Sequence, residues 1–250
     1  MEAEKEYHLD LRKGDVGRYV LLPGDPARAA KIAEYFDDAR EMAFNREYRT
    51  FTGTINGTEL SVTSTGIGCP SAAICIEELI KCGADTFIRV GTAGGLQPET
   101  ELGDVVITTA TVREEGTSRQ YVPLEYPAVA DFEVTAALRD AAAKLGFRYH
   151  LGIGHTKDAF YTEGAVDLPL KEQTALQWRA WERANVLSTS MEAAAIYVIS
   201  SIRRVRAGEV LAIIGLTYKD EPIVAKVGID EAIKVALEAV RILAARDSAG

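Results

Sequence analysis

Cysteine is scarce in this chain: three of 250 residues, Cys69, Cys75 and Cys82, lie in one short stretch with no CxxC pair. An odd number without paired spacing encodes neither a disulfide framework nor a zinc ribbon and fits a reducing compartment. The three histidines, His8, His150 and His155, have no metal-ligand spacing, so no catalytic metal is expected. No run of about 18 apolar residues occurs, which excludes a membrane-spanning helix. The opening residues MEAEKEYHLD are acidic and polar where a secretory signal has a basic start and an apolar run, and a cytoplasmic location is expected. Positive charge is also in deficit, with 28 Lys and Arg against 37 Asp and Glu for a net −9. A sequence-independent grip on DNA or RNA is therefore not expected, although a local basic pocket is still compatible with that balance.

What is present is a core. Hydrophobic residues make up 47% of the chain, enough for one domain over 1–250 without staples or metals. RYVLLPGDPARAAKIAEYF, from Arg18, reads as a strand, a glycine turn and a helix with Ala29, Ile32, Ala33 and Phe36 inward. Two strands meet at Asn56-Gly57, a dipeptide suited to a tight hairpin. A helix is predicted over Pro70 to Lys81, with Gly83 just past its end. Strands follow in TFIRVGTAGGL, GDVVITTATV, YHLGIGHT and VLAIIGLT. Helices are predicted over Val129 to Leu145, 170–184, 190–203 and through Ile233, Leu237, Val240 and Leu243, with long loops at 112–128 and through Pro222. Apolar strands alternating with amphipathic helices imply an α/β fold, a central mixed β-sheet flanked by helices.

In such folds ligands sit beyond the carboxyl ends of strands, and the unusual residues fall there. PGDPAR offers the Gly24 amide and Arg28 in a first helical turn, a pairing that can cradle an anion or simply start a helix. Arg89 lies between Ile88 and Val90 in a strand covered on both faces, where an unpaired guanidinium would cost several kcal/mol. It needs an anionic partner. That partner is either a protein carboxylate or an oxyanion held also by the Thr92 hydroxyl and the amides of 91–94. Arg46 and Arg49 flank Glu47, their ready salt-bridge partner in a solvated strand end. Glu192 opens a predicted helix with Thr189 or Ser190 as cap. It either complements the helix dipole or accepts hydrogen bonds from neighbouring sugar hydroxyls. Phe160 and Tyr161 are candidates for an aromatic wall or for core filler.

Taken in order, GDPAR, NREY, STGIG with its following Pro-Ser, IRVGTAGGLQP, GDVVITTATVRE, YPAVADFEV, DAFY and SMEAAAIY resemble the motifs of the nucleoside phosphorylase family over nearly the whole chain. The resemblance implies a nucleoside phosphorylase-like fold and phosphate-dependent, reversible cleavage of a nucleoside to a free base and a pentose 1-phosphate. It implies no cofactor, inorganic phosphate being a co-substrate. It assigns phosphate binding to Gly24, Arg28, Arg89 and Thr92, with Arg46 from a neighbouring subunit. Ribose binding falls to Thr92, Met191 and Glu192, with His8 lent across the interface. The partners it implies are nucleoside, phosphate and further copies of the chain, a dimer being the smallest complete site and a hexamer the common assembly.

The base end departs from that pattern. The uridine-cleaving branch places a Gln, often with an Arg two residues beyond, shortly after the Phe-Tyr pair; here Gly164 and Val166 stand there. A second base-side Arg falls at Thr217. Purine-cleaving relatives use an Asp nearby, where Ile214 and Leu216 are apolar. Base contacts are assigned to Phe160, Tyr161, Glu163, Gly164, Thr217 and Asp220, with Gln173 and Lys219 as further candidates. Ser190 replaces a Glu found in some relatives. Trp178 and Trp181, with YPAVADF, resemble the uridine-cleaving branch. A purine or broad-specificity phosphorylase, a hydrolytic nucleosidase and a noncatalytic nucleoside-binding protein are the alternatives.

Overall fold

The computed structural model describes residues 4–162, 167–218 and 223–249. Strand β1 (Tyr19–Leu22) is buried throughout and turns at Pro23-Gly24 into helix α1 (Pro26–Ala33). The Asp25 carboxylate caps this helix by accepting from the Ala27 N–H at 2.9 Å, and Pro26 fits its first turn. Arg28 is thereby fixed one turn from the mouth of the sheet.

Strands β2 (Arg40–Asn45), β3 (Tyr48–Ile55) and β4 (Thr58–Thr63) form two hairpins. The second turns at Asn56-Gly57, with φ of 50° and 77°, as the dipeptide predicts. The first turns at Arg46, whose φ is 55°. Strand β2 is mostly exposed and lacks the alternation that marks a half-buried strand, so nothing in its sequence announces it. Helix α2 (Cys69–Cys82) ends on left-handed Gly83 and buries all three cysteines as free thiols.

Strands β5 (Thr86–Gly95) and β6 (Val105–Glu114) follow, then β7 (Ala128–Val129) and helix α3 (Phe132–Leu145). Helix α3 starts later than predicted because Val129 pairs with Ala110 and Asp131 is the cap. The remaining elements are β8 (Tyr149–Lys157), α4 (Lys171–Arg183), β9 (Ser188–Ser190), α5 (Ala193–Arg203), β10 (Arg206–Leu216), β11 (Ile223–Val224) and α6 (Ile229–Ala249). The prediction of a helix from 190 is corrected: Thr189 and Ser190 belong to β9 and cap nothing.

All eleven strands join one mixed sheet, and β5, β10, β6, β8 and β9 pair in a closed circuit. Alternate residues of β1 serve opposite faces. Tyr19 and Leu21 pack toward α1, α3 and α6, while Val20 and Leu22 pack toward α2 and α5. With helices on both faces, a charged side chain in a central strand must find its partner within the sheet or at its end. No helix among the described residues is long and apolar enough to cross a membrane.

Candidate active site

A cavity of about 730 Å³ opens at the carboxyl ends of β1, β5, β8 and β10. Arg89, which lines it, is 5% exposed. Its Nε donates to Glu209 Oε1 at 3.1 Å, and its Nη2 pairs with Glu192 Oε2. Its Nη1 is buried and has no hydrogen-bond partner among the described residues. The protein thus braces the guanidinium on two sides and leaves one nitrogen for an acceptor. Gly91 makes room for this: a Cβ there would lie 2.6 Å from Leu211 Cδ2 and 3.0 Å from Arg89 Nη2.

Glu209 is 1% exposed, and its Oε2 accepts from the Thr108 hydroxyl at 2.9 Å, which in turn shares a 2.6 Å bond with Tyr197. Burial pushes its carboxyl above the usual range, while the Arg89 charge and Thr108 pull it down. The sequence offered the same signal here as at Arg89, a charge within a covered strand. It went unread because the apolar run begins one residue later, at Val210.

Arg28 reaches the same cavity, with Nη1 3.5 Å from the Val90 carbonyl. Burial and then the positive charge of Arg89 lower its pKa. Two guanidiniums that repel each other at one opening form a site for an anion. Gly24 and Thr92 share the lining.

Glu192 sits at the position before α5 but is not a dipole cap. Its Oε1 accepts from the Gly68 N–H at 2.8 Å and its Oε2 from the Met191 N–H at 3.1 Å as well as from Arg89. Of about four acceptor directions on a carboxylate, an open one is left on Oε1, and both Met191 and Glu192 border the cavity. Ser190 Oγ lies 3.5 Å from Glu209 Oε1.

Phe160 borders the cavity, as does Thr217, whose hydroxyl donates to the Gly95 carbonyl at 2.9 Å; Ile214 and Leu216 are apolar wall. Tyr161 is 81% exposed, lies outside the lining and packs edge-on against Phe160 at 5.3 Å. Gln173 is exposed on α4, away from the lining. Glu163, Gly164, Val166, Lys219 and Asp220 lie outside the described residues. His8 and Arg46 do not line this protomer's cavity. His8 Nδ1 bonds Glu78 Oε1 at 2.6 Å, and Arg46 is exposed at its hairpin turn. His155 is bonded on both ring nitrogens, to Thr189 at 3.1 Å and Glu114 at 2.8 Å, and takes a structural place beside Trp178 and Trp181. Unforeseen members of the lining include Asp25, Glu47 and Lys157, the last buried at the end of β8.

An arginine pair, a hydroxyl and a carboxylate converge on one opening at the strand ends of an α/β protein, an arrangement whose chemistry suits an anion beside a polyol. Residues 18–245 match the Phosphorylase superfamily, and the chain belongs to that family. It is 48% identical over 247 residues to a uridine phosphorylase of Treponema pallidum, covering 97% of this chain and 96% of the relative. It is 51% identical over 251 residues to a uridine phosphorylase of Thermococcus kodakarensis, covering 98% and 89%. A guanosine phosphorylase of Halorubrum lacusprofundi is 39% identical over 249 residues, covering 96% and 99%.

Proposed function

We propose that this chain is a nucleoside phosphorylase of the uridine-cleaving type, a pentosyltransferase that exchanges a base for inorganic phosphate at the anomeric carbon of a nucleoside. The observation that carries the reading is Arg89, buried and braced by Glu192 and Glu209 with Nη1 turned to no protein acceptor among the described residues. The similarity to two uridine phosphorylases supports the base.

Phosphate is a weak nucleophile in water, and its catalysis is a matter of position and desolvation. In this reading Arg28, Arg89, Thr92 and the Gly24 amide hold its oxygens below the sugar. Planar guanidinium groups fix direction as well as charge. As the bond from C1′ to the base nitrogen lengthens, the ribose gains oxocarbenium character and the phosphate dianion stabilises it. Glu192 orients the sugar through its hydroxyls, assisted by Thr92 and Met191, and no protein nucleophile, metal or cofactor is needed.

Charge counting favours a second subunit. Arg28, Arg89 and Lys157 face Asp25, Glu47 and Glu192 around the cavity, and Glu209 is also paired to Arg89, so a phosphate dianion needs a further cation. Arg46, exposed at its turn, supplies it from a neighbouring copy, and His8 reaches the ribose in the same way. The dimer is then the smallest complete site, a hexamer its assembly, and the cytoplasm, where nucleosides are salvaged into nucleotide metabolism, its place.

Incubation with uridine, with and without phosphate or arsenate, tests the reading. Uracil release that requires the anion and yields ribose 1-phosphate is the expected result. Release without it would mean a hydrolase, and tight binding without turnover in either direction a noncatalytic binder. The guanosine phosphorylase relative favours a second reading, in which guanosine or inosine is cleaved as well.

A further inference from the structure

Where the uridine-cleaving pattern has a Gln and an Arg to hold the base, this chain has Gly164 and Val166, whose side chains donate nothing. A cavity that binds a polar heterocycle still needs a directed polar group, because carbonyl oxygens stripped of water without a partner lose binding. One cationic side chain besides the two arginines borders the cavity within the described residues: Lys157. It is 5% exposed, at the last position of β8. Its Nζ donates to Thr189 Oγ1 at 2.9 Å and lies 5.8 Å from the Phe160 ring centroid and 5.7 Å from that of Trp178.

The sheet fixes which end of the cavity this is. Gly94 of β5 pairs with Thr189 of β9, which pairs with His155 of β8. Two inter-strand spacings, roughly 10 Å, separate the β5 residues at the anion end from β8. Met191 and Glu192, continuing from β9, come between. A pentose fits in that interval, so a group on β8 meets what the pentose carries on its other side, beside the flat face of Phe160.

We infer that Lys157 is the base-recognition residue of this site, its ammonium hydrogen-bonded to a ring carbonyl oxygen of the base. The inference rests on the phosphorolytic reading above. When a phosphate oxygen forms its bond to C1′, the bond from C1′ to nitrogen breaks and its electron pair leaves with the base. Monohydrogen phosphate releases its proton as the ester forms, and the base anion takes one up from solvent, so charge and atoms balance. Before that proton arrives, negative charge spreads onto the ring carbonyl oxygens. An ammonium held there binds the departing anion more tightly than the neutral base, which accelerates the chemical step as well as fixing the substrate. Having donors only, where it meets the group at C4 of a pyrimidine or C6 of a purine it selects uracil, thymine, hypoxanthine and guanine, which carry a carbonyl oxygen there, over cytosine and adenine, which carry an amino group there.

The test compares the full-length protein with Lys157→Met, which keeps the stem between Phe160 and Trp178, on uridine and on 5-fluorouridine, whose base leaves more readily. The expected loss in kcat/KM on uridine is about 10- to 100-fold, as for one charged transition-state donor. On 5-fluorouridine the loss is smaller, and KM for phosphate stays within about twofold on both substrates, because the anion end is untouched. Lys157→Arg, which keeps the charge, recovers part of the loss and remains informative if the Met variant does not fold. Equal losses on both substrates, or none, would overturn the assignment while leaving phosphorolysis intact. A wild-type protein that needs no phosphate would overturn the phosphorolytic reading and this inference with it.

Discussion

Arg89 and Glu209 stand directly opposite each other in the parallel register of β5 and β10, joined by a 3.1 Å bond from Nε to Oε1. Breaking a buried pair by removing one partner leaves the other charge uncompensated. Glu209→Ala is expected to destabilise the protein by about 3–5 kcal/mol, read from urea denaturation. Glu209→Gln keeps the shape and an acceptor, and should cost about 1–3 kcal/mol. Because the guanidinium plane is then less firmly held, KM for phosphate should rise more than kcat falls. A Gln variant with unchanged stability and phosphate KM would remove the brace from the account.

Arg89 itself carries a sharper prediction. Arg89→Ala should lower phosphorolysis by at least about 10²–10³-fold, the size of one lost oxyanion donor. Arg89→Lys should recover little of this. A lysine ammonium is a point donor and cannot reach Glu209, Glu192 and a phosphate oxygen from one rigid fork. A folded Lys variant with wild-type turnover would make Arg89 purely structural.

Glu192→Gln tests the sugar grip. The amide loses the charged acceptor that the proposed reading turns to the pentose, and weakens the bonds from the Gly68 and Met191 amides. A fall in kcat of about 10- to 100-fold is expected, in line with one or two charged hydrogen bonds. An unchanged kcat in single-turnover measurements would contradict that role.

The parts of this molecule that could be read from sequence are those where a local pattern and the tertiary environment agree. Arg89 is conspicuous because a charge interrupts an apolar strand, and Asn56-Gly57 because the dipeptide prefers the backbone a hairpin demands. Strand β9 left no such trace. Ser188, Thr189 and Ser190 have no hydrophobic pattern, and their strand exists because β5 and β8 pair with it from either side. The same hidden pairing moved the start of α5 and turned Glu192 from a cap into a partner of Arg89. Lys157 was missed because the strand read in YHLGIGHT stops one residue short of it, and only the closed circuit of strands brings it to the cavity of Arg28 and Arg89.

Subunit sharing of the site can be tested by complementation. Arg46→Ala and Arg89→Ala should each be inactive alone. If Arg46 acts on a neighbour's phosphate, mixing the two by reversible dissociation yields one intact site in each heterodimer. Random mixing in equal amounts should then restore about a quarter of wild-type activity. No recovery from subunits shown to exchange would confine the site to one protomer and leave Arg46 a surface residue.

The pH dependence of stability has a local origin near the end of α6. Asp247 accepts from Arg206 through both oxygens, at 2.9 and 2.6 Å, and from the Tyr19 hydroxyl at 2.7 Å. The Arg206 hydrogen bonds chiefly hold its carboxyl down at about 2, against an ordinary 3.8. A depressed carboxyl pKa means that the unfolded chain binds the proton more readily than the folded one. The stabilisation is therefore complete above the unfolded value and is lost as pH falls through the folded value. Since Asp247 is partly exposed, solvent screening limits the effect to about 1 kcal/mol. Asp247→Asn should lie below wild type by that amount at pH 6, and the gap should close between pH 4 and pH 2, where the wild-type carboxyl takes up its proton. A gap in unfolding free energy that stays constant over that range would show that the Asn variant loses packing and not a titrating ion pair.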